Sequence, residues 1–149
     1  MPVPPRTVHK NALHIPGRSA QNQDARLLMP VEIPSGTIAD ISAGFDHTLV
    51  LMKNGDLYGV GNNAYGQIGS ANFGGQTGVF QKIASNVAAM AAGRRHSLYI
   101  DSAGNLYGLG DNRWKKLIDS PEEKYQTPVR IMGEAAAVYA GEHSTLVVD

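Results

Sequence analysis

The sequence of 149 residues contains no cysteine. The lack of thiols excludes disulfides and thiolate metal sites, although it does not identify a cellular compartment. The sequence also has no hydrophobic run of transmembrane length, and the segment before Lys10 lacks the apolar core of a signal peptide. We therefore expect a soluble chain without a membrane partner, and its localisation stays unassigned.

An excess of either charge is missing too. Thirteen Lys and Arg residues balance thirteen Asp and Glu residues, so the chain has no general attraction to nucleic acid, which we do not expect as a partner. In contrast, 17 Gly and 8 Pro residues accompany a moderate 42% of hydrophobic residues. This composition favours many short strands joined by turns over a helical bundle.

Patterns typical of enzymes are absent as well. The sequence has no Gly-x-Ser-x-Gly nucleophile elbow. The stretch Gly59-Val60-Gly61-Asn62-Asn63-Ala64 matches the dinucleotide-binding fingerprint by its letters, but it is not followed by the helical pattern that pyrophosphate binding requires. We therefore predict that the protein is not an enzyme, and that it has no catalytic residues and no cofactor.

What the sequence does contain is a unit that repeats every 49 residues. The segment Ile41–Asn63 recurs as Met90–Asn112, and a third copy begins at Val138. A fixed period of this length indicates a repeat architecture, in which each unit buries its apolar face against a neighbour. The recurring positions, which we predict to be structural, are Gly44, His47, Gly55, Gly61, Gly93, His96, Gly104, Gly110, Gly141 and His143.

Each full unit predicts four strands. The first is rich in alanine, as in Val87 to Ala92, and suits a crowded central axis. The second alternates as His47-x-Leu49-x-Leu51, which is the period of a strand. Glycine-containing turns at 53–56 and 102–105 lead to a third strand. The fourth is an outer strand, and the proline that it carries at Pro30 and Pro128 is tolerated on an edge. The chain thus has about eleven strands, or twelve with a weak one around Leu13 and Ile15.

Three motifs of the unit resemble one known family when they are taken together. They are Ala43-Gly44-x-x-His47, Gly55-x-Leu57-Tyr58-x-x-Gly61 and Tyr65-Gly66-Gln67-Ile68-Gly69, and they are similar to the regulator-of-chromosome-condensation (alpha-tubulin suppressor) repeat over residues 30 to 149. The second repeat departs from the pattern at Arg113-Trp114-Lys115-Lys116-Leu117, where both loop glycines are lost.

The resemblance implies an all-β fold, a partial β-propeller of about two to three four-stranded blades. In this family such rings act in guanine-nucleotide exchange on a small GTPase, in chromatin contact and as bacterial secreted inhibitors or effectors. We expect an irregular N-terminal segment with an edge strand over residues 1–29 and a repeat domain over residues 30–149, with two full repeats and a partial repeat at each end.

The number of blades predicts association. Three blades are fewer than closed propellers contain, and exposed apolar faces usually mark a missing partner. We therefore expect completion by oligomerisation or by missing repeats. In one such arrangement the N-terminal strand pair of one copy and the C-terminal pair of another form a composite blade, and two copies make six blades.

The repeated histidines raise the question of a metal site. Imidazole is a common zinc ligand, but equivalent positions in successive blades lie around a ring and do not converge on one ion. We predict that His47, His96 and His143 form hydrogen bonds to neighbouring loops, and that the chain has no metal site.

The positions that differ between repeats are the candidates for partner binding, because variable loops on a rigid scaffold usually carry binding residues. Aromatic residues and arginine are frequent anchors of protein interfaces. The predicted partner-binding residues are Phe45, Asp46, Asn72, Phe73, Arg94, Arg95, Arg113, Trp114, Lys115, Tyr125 and Glu142. Two points stay open: Trp114 either binds a partner or packs between blades, and the basic residues form either a patch or an ordinary solvated surface.

We interpret the chain as a non-catalytic protein–protein interaction module that binds a macromolecular partner through loops on one propeller face. One alternative is a self-assembling structural repeat fragment with no other partner. Another is a propeller domain that binds a small ligand, either a carbohydrate or a nucleotide. The sequence does not identify the protein partner.

Overall fold

The computed structural model describes Thr7–Val8, Val31–Glu32 and residues 36–70, 73–142 and 144–149. These residues form twelve strands and a short 3-10 helix at Arg113–Lys115. None of the helical segments within these ranges has the length and apolarity needed to cross a membrane. The strands are β1 (Thr7–Val8), β2 (Val31–Glu32), β3 (Ile38–Ala43), β4 (His47–Met52), β5 (Leu57–Asn62), β6 (Gln76–Ala84), β7 (Val87–Ala92), β8 (His96–Asp101), β9 (Leu106–Asp111), β10 (Lys124–Met132), β11 (Ala137–Ala140) and β12 (Thr145–Val148).

The strands form two four-stranded and two two-stranded antiparallel sheets. The first blade has the order β3-β4-β5-β6 and the second blade β7-β8-β9-β10, while β11-β12 and β1-β2 are strand pairs. This arrangement confirms the predicted all-β partial propeller. Of residues 1–29, for which we predict an irregular segment with an edge strand, the structure describes only Thr7–Val8, which pair with Val31–Glu32. The weak strand predicted around Leu13 and Ile15 lies outside the described residues.

The two full blades have the same register, as the 49-residue period predicts. His47 pairs with Gly61 in the first blade, and His96 pairs with Gly110 in the second. The hairpin turn between β4 and β5 has Gly55 at a φ of +94°, a left-handed conformation that glycine adopts without steric cost.

The hydrophobic cores lie between the sheets. Leu49 and Leu57 of the first blade pack with Met90 and Leu109 of the second in one cluster. A second cluster joins β8 and β9 to Val138 of β11. The sequence predicts one apolar face for β4, but all six of its residues are buried, because both of its faces are covered. Burial of each large aliphatic side chain contributes about 1.5–3 kcal/mol, so contacts between blades hold the fold together.

The alanine-rich strands β3, β7 and β11 lie side by side and line a groove of about 400 Å³. Their small side chains allow the backbones to approach closely. The backbone N–H of Ala92 in β7 donates a hydrogen bond of 3.0 Å to Ser42 Oγ in β3. These strands are therefore the inner strands of the blades. Because the strands in each sheet are antiparallel, successive connections lie alternately at the two ends of the sheets.

Candidate protein-interaction face

One end of the sheets carries the connections β3–β4, β5–β6, β7–β8, β9–β10 and β11–β12, and we call it the loop face. The opposite end carries the short turns β4–β5, β6–β7, β8–β9 and β10–β11, and we call it the turn face. Neighbouring blades are in contact at both ends. On the turn face the Val87 N–H donates to Gly55 O at 2.9 Å. Every described residue of the predicted partner-binding set lies on the loop face or at its border.

Residues of three repeats meet at the inner border of the loop face. The Arg94 guanidinium carbon lies 4.6 Å from the ring centroid of Phe45, a cation–π contact, and Arg94 also forms an ion pair with Glu142. Phe45 remains exposed. Burial raises the pKa of the neighbouring Asp46, and the charges of Arg95 and Arg94 oppose that rise. The structure therefore brings together the variable loop residues that the sequence identifies one by one.

Tyr65 joins the first blade to the second. Two guanidinium groups of the second blade lie near its ring centroid, that of Arg95 at 5.3 Å and that of Arg113 at 4.7 Å. Arg113 in turn donates two side-chain hydrogen bonds to the carboxylate of Asp111, at 2.9 and 3.0 Å. Sequence reasoning missed Tyr65, because it lies in a motif that is common to the repeat.

Lys116 and Asp111 form a buried ion pair. Lys116 Nζ lies 3.0 Å from Asp111 Oδ2, and the two side chains are 1% and 2% exposed. Burial opposes ionisation of Asp111, but hydrogen bonds from Arg113 and Lys116 outweigh it and hold its pKa at about 2. Lys116 Nζ also donates to Glu142 O at 3.3 Å, and Lys116 O accepts a hydrogen bond from Thr145 Oγ1 at 2.8 Å. Lys116 thus connects the second blade to β12.

The first blade contains the neutral form of this arrangement. One period before Asp111 and Lys116 lie Asn62 and Gln67, and Gln67 Nε2 donates to Asn62 Oδ1 at 3.5 Å. Gln67 O accepts a hydrogen bond from Ser97 Oγ at 2.5 Å, as Lys116 O does from Thr145. The period of the sequence was the signal that could have identified this pair.

Several basic residues of the loop face have carboxylate partners. Arg94 pairs with Glu142, Arg113 and Lys116 pair with Asp111, and Lys115 pairs with Asp119 at 3.1 Å.

The loop at 113–117, which lacks the two glycines of the repeat, has the same anchoring hydrogen bond as the loop one period earlier, but at a conformational cost. Asn112 Oδ1 accepts the Leu117 N–H at 3.0 Å, just as Asn63 anchors its own loop one period earlier. Trp114 and Lys115 adopt φ values of +67° and +54°, a region that disfavours residues other than glycine. Trp114 is 77% exposed, so it does not pack between the described blades.

The β5–β6 and β9–β10 connections meet at the outer border of the loop face. Lys124 Nζ lies 5.3 Å from the ring centroid of Phe73, which is exposed. The half-buried Tyr125 donates from its hydroxyl to Ser120 Oγ at 2.7 Å. Asn72, which we also predict to bind a partner, lies outside the described residues.

The repeated histidines His47 and His96 are fully buried. His47 Nε2 lies 3.0 Å from Ser97 Oγ. Because the Ser97 hydroxyl donates to Gln67 O, His47 Nε2–H is the donor to Ser97. Burial lowers the pKa of His47 to about 3, and the nearby His96 adds to this effect. The neutral imidazole therefore joins two blades, which agrees with a structural role.

The third repeat differs from the alignment that its histidine suggests. The Gly44 N–H donates to His47 O at 2.8 Å, and the Gly141 N–H makes the same bond to Ser144 O at 2.9 Å. Ser144, and not His143, therefore occupies the histidine position of the third repeat. His143 itself lies outside the described residues.

Comparison with known proteins supports the fold. The family model described as the regulator of chromosome condensation (RCC1) repeat matches residues 38–67, which extend from β3 through the Tyr65 loop. No curated protein matches the sequence.

Among solved structures, human WBSCR16 superposes with a TM-score of 0.73 at 21% identity, over 82% of this chain and 33% of that chain. Prp20p from Saccharomyces cerevisiae, described together with its binding to Gsp1p and histones, has a TM-score of 0.71 at 21% identity, over 80% and 33% of the two chains. Yeast RCC1 (Prp20) bound to Kap60 has a TM-score of 0.67 at 24% identity, over 83% and 32%. The chain thus has the RCC1 propeller fold and spans about a third of the length of these structures.

Proposed function

We propose that this chain is a non-catalytic protein-interaction module that binds a macromolecular partner through its loop face. The observation that carries the proposal is the position of exposed aromatic residues. Phe45, Phe73 and Trp114 are all exposed on the loop face, whereas the turns 53–56, 85–86, 102–105 and 133–136 of the opposite face contain no aromatic residue. Rigid aromatic side chains bury much apolar area at a small entropic cost, which suits them as interface anchors.

The charges of the loop face favour a protein over nucleic acid as the partner. Binding to a phosphate backbone depends on several unpaired Lys and Arg side chains that displace counterions. Here Arg94 and Arg113 have carboxylate partners, Glu142 and Asp111. A protein surface with its own apolar pockets and polar rim fits this mixture of aromatic rings and paired ions better.

The structural neighbours agree with a protein partner. Prp20p is described with its binding to Gsp1p and histones, and yeast RCC1 is described in a complex with Kap60. This chain spans about a third of those propellers, so we propose the class of partner and not its identity. We also propose that additional strands complete the third blade, and that they come from another copy or from further repeats.

The loop-face proposal can be tested with the three proteins named for the neighbours as probes. Gsp1p, histones and Kap60 are immobilised separately, and binding of the full chain is measured by biolayer interferometry. We expect at least one probe to bind, and the Phe45→Ala/Phe73→Ala variant to bind at least tenfold more weakly, a loss of about 1.4 kcal/mol or more.

The matched control is Lys53→Ala, which changes an exposed residue of the turn face and is expected to change affinity less than twofold. Equal affinity of the wild type and of the Phe45→Ala/Phe73→Ala variant for a probe that binds would contradict the proposal. An equal loss of affinity in the Lys53→Ala variant would also contradict it, because binding would then not depend on the loop face.

A further inference from the structure

Arg95 differs from the other two arginines that the structure describes on the loop face. Arg94 forms an ion pair with Glu142, and Arg113 forms one with Asp111. The guanidinium of Arg95 forms neither an ion pair nor a hydrogen bond with any described residue. The buried polar atoms that lack a hydrogen bond within this part of the chain include none of its nitrogen atoms. Its N–H donors therefore reach solvent and are available to a partner.

The surrounding structure holds Arg95 in place. Its backbone C=O accepts the Asp111 N–H at 2.8 Å, and the next residue, His96, is fully buried. The guanidinium carbon lies 5.3 Å from the ring centroid of Tyr65 in the first blade. A guanidinium in contact with an aromatic ring still donates through its N–H groups, and a side chain that is already positioned loses less conformational entropy when a partner binds.

The position of Arg95 does not depend on an open end of the sheets. It lies at the junction of the first and second blades, and the structure describes all four strands of each. Its available donors are consequently a property of a complete junction between blades.

The neighbouring charges favour a singly charged ligand. Burial raises the pKa of Asp46, and the charges of Arg95 and Arg94 oppose that rise, so these groups lie close together. A carboxylate carries one charge and accepts two parallel hydrogen bonds from a guanidinium. A phosphate monoester carries close to two charges at pH 7, so Asp46 repels it more strongly. A carboxylate therefore fits Arg95 better than a phosphate does.

We propose that Arg95 binds an Asp or Glu side chain of the protein partner, and that an apolar side chain beside that carboxylate covers Phe45. Phe45 is exposed and directly precedes Asp46. Apolar contacts that exclude water reduce the screening of a neighbouring charged pair, so the two contacts support each other. This inference rests on the loop-face proposal above and specifies the chemistry of the partner.

A peptide titration tests the site without a protein partner. The probe is acetyl-Leu-Glu-Leu-amide, whose single charge is the Glu carboxylate, and the matched control is acetyl-Leu-Gln-Leu-amide. In nuclear magnetic resonance spectra of the isotope-labelled full chain, we expect the Arg95 Nε–H signal to shift saturably with the Glu peptide at roughly 1–20 mM. The Gln peptide and inorganic phosphate at the same concentration should shift it less than about half as far.

Two variants separate the guanidinium fork from charge alone. Arg95→Lys keeps the charge but loses the planar fork, so the shift of the Phe45 amide signal on addition of the Glu peptide should fall by at least about half. Lys53→Gln removes an exposed cation of the turn face and should leave that shift unchanged. An Arg95 signal that responds equally to the Glu and Gln peptides, or to neither, would overturn the inference. A larger response to phosphate would also overturn it and assign the site to a phosphorylated ligand.

The protein probes distinguish this inference from the loop-face proposal. For a probe that binds the chain, Arg95→Gln should weaken binding at least about tenfold, with a melting temperature close to that of wild type, whereas Lys53→Gln should change affinity less than about twofold. If Phe45→Ala/Phe73→Ala weakens binding and Arg95→Gln does not, the loop face binds a partner without a carboxylate at Arg95. The inference then fails and the proposed function stands. A saturable response to the Glu peptide, together with probe binding that ignores both loop-face variants, would have the opposite meaning.

Discussion

Asp111 and Lys116 form a buried ion pair, and replacing it with the neutral pair of the first blade tests how the blades are joined. The first blade has Asn62 and Gln67 at these positions, with an amide hydrogen bond in place of the 3.0 Å ion pair. The perturbation is a set of three variants: Asp111→Asn, Lys116→Gln, and the double variant that copies the first blade.

The two single variants are expected to differ in cost. Asp111→Asn leaves the ammonium group of Lys116, which is 1% exposed, without a carboxylate, and an uncompensated buried charge costs about 3–5 kcal/mol. Lys116→Gln leaves Asp111 with its bonds from Arg113 and loses the bond to Glu142 O, so it should cost about 1–2 kcal/mol. The double variant restores a satisfied pair and should lie within about 1–2 kcal/mol of wild type.

Urea unfolding at pH 7, followed by circular dichroism, measures the free energies of unfolding of wild type and the three variants. The double-mutant cycle should give a coupling of roughly 3 kcal/mol between the two positions. Asp119→Asn is the matched control, because it removes the exposed partner of Lys115 and should cost less than about 1 kcal/mol. The reasoning is that the two charges serve mainly to satisfy each other. It would be refuted if the double variant were no more stable than Asp111→Asn and the losses in free energy of unfolding of the two single variants were additive.

Three further predictions concern the backbone and the buried histidine. Gly44→Ala should lower the free energy of unfolding in urea by at least about 2 kcal/mol, because its Cβ would lie 2.3 Å from Gly93 O. In Gly69→Ala the added Cβ would have no atom within 4 Å, so this variant should lose only about 1 kcal/mol, because of its positive φ. Equal losses of free energy of unfolding in the two glycine variants would contradict this account. Lys115→Gly should stabilise the protein by about 0.5–1 kcal/mol, because it removes a left-handed lysine, and a melting temperature that does not rise would argue against it. The pKa of His47 is about 3 in the folded chain, against an ordinary value of 6.5 for an exposed histidine, so its contribution to stability is complete above pH 6.5 and is lost as pH falls toward 3. The free energies of unfolding of wild type and His47→Gln, measured by denaturant titration between pH 7 and 4, should therefore converge on acidification. Parallel curves of free energy against pH would be inconsistent with a buried neutral imidazole.

The strands, the hairpins and the inner alanine-rich face could be predicted from the sequence because each depends on local chemistry. The alternation around His47 and the glycine at position 55 act within a few residues, and the 49-residue period repeats them. The strand at Thr7–Val8 escaped prediction because two residues are too few to show a period, and only pairing with Val31–Glu32 defines it.

The register of the third repeat could not be read from its residues. One residue fewer separates Gly141 from His143 than separates Gly44 from His47, and the sequence does not say whether the loop is shorter or the histidine is displaced. The hydrogen bond from Gly141 N–H to Ser144 O shows that the loop keeps its geometry and that the strand alignment shifts. The histidine was a misleading guide because its imidazole is not needed for that backbone bond.

The candidate site was predictable as a set of residue types and not as a set of contacts. Phe45, Arg94 and Glu142 were identified as variable loop residues, and the structure shows them in contact. Lys116 was grouped with the other basic residues, yet it is buried against Asp111. Composition cannot separate these cases, because a lysine has the same side chain in solvent and in an ion pair.

The sequence by itself determined the repeated unit: its 49-residue period, the succession of its strands along the chain and the loops that vary between copies. Only the tertiary structure decided which loop reaches the next blade, so that Tyr65 lies beside Arg95 and Arg113. The physical reason is distance along the chain. Strand pairing is a property of neighbouring segments, whereas burial and ion pairing depend on side chains about one repeat apart that meet only when the sheets pack.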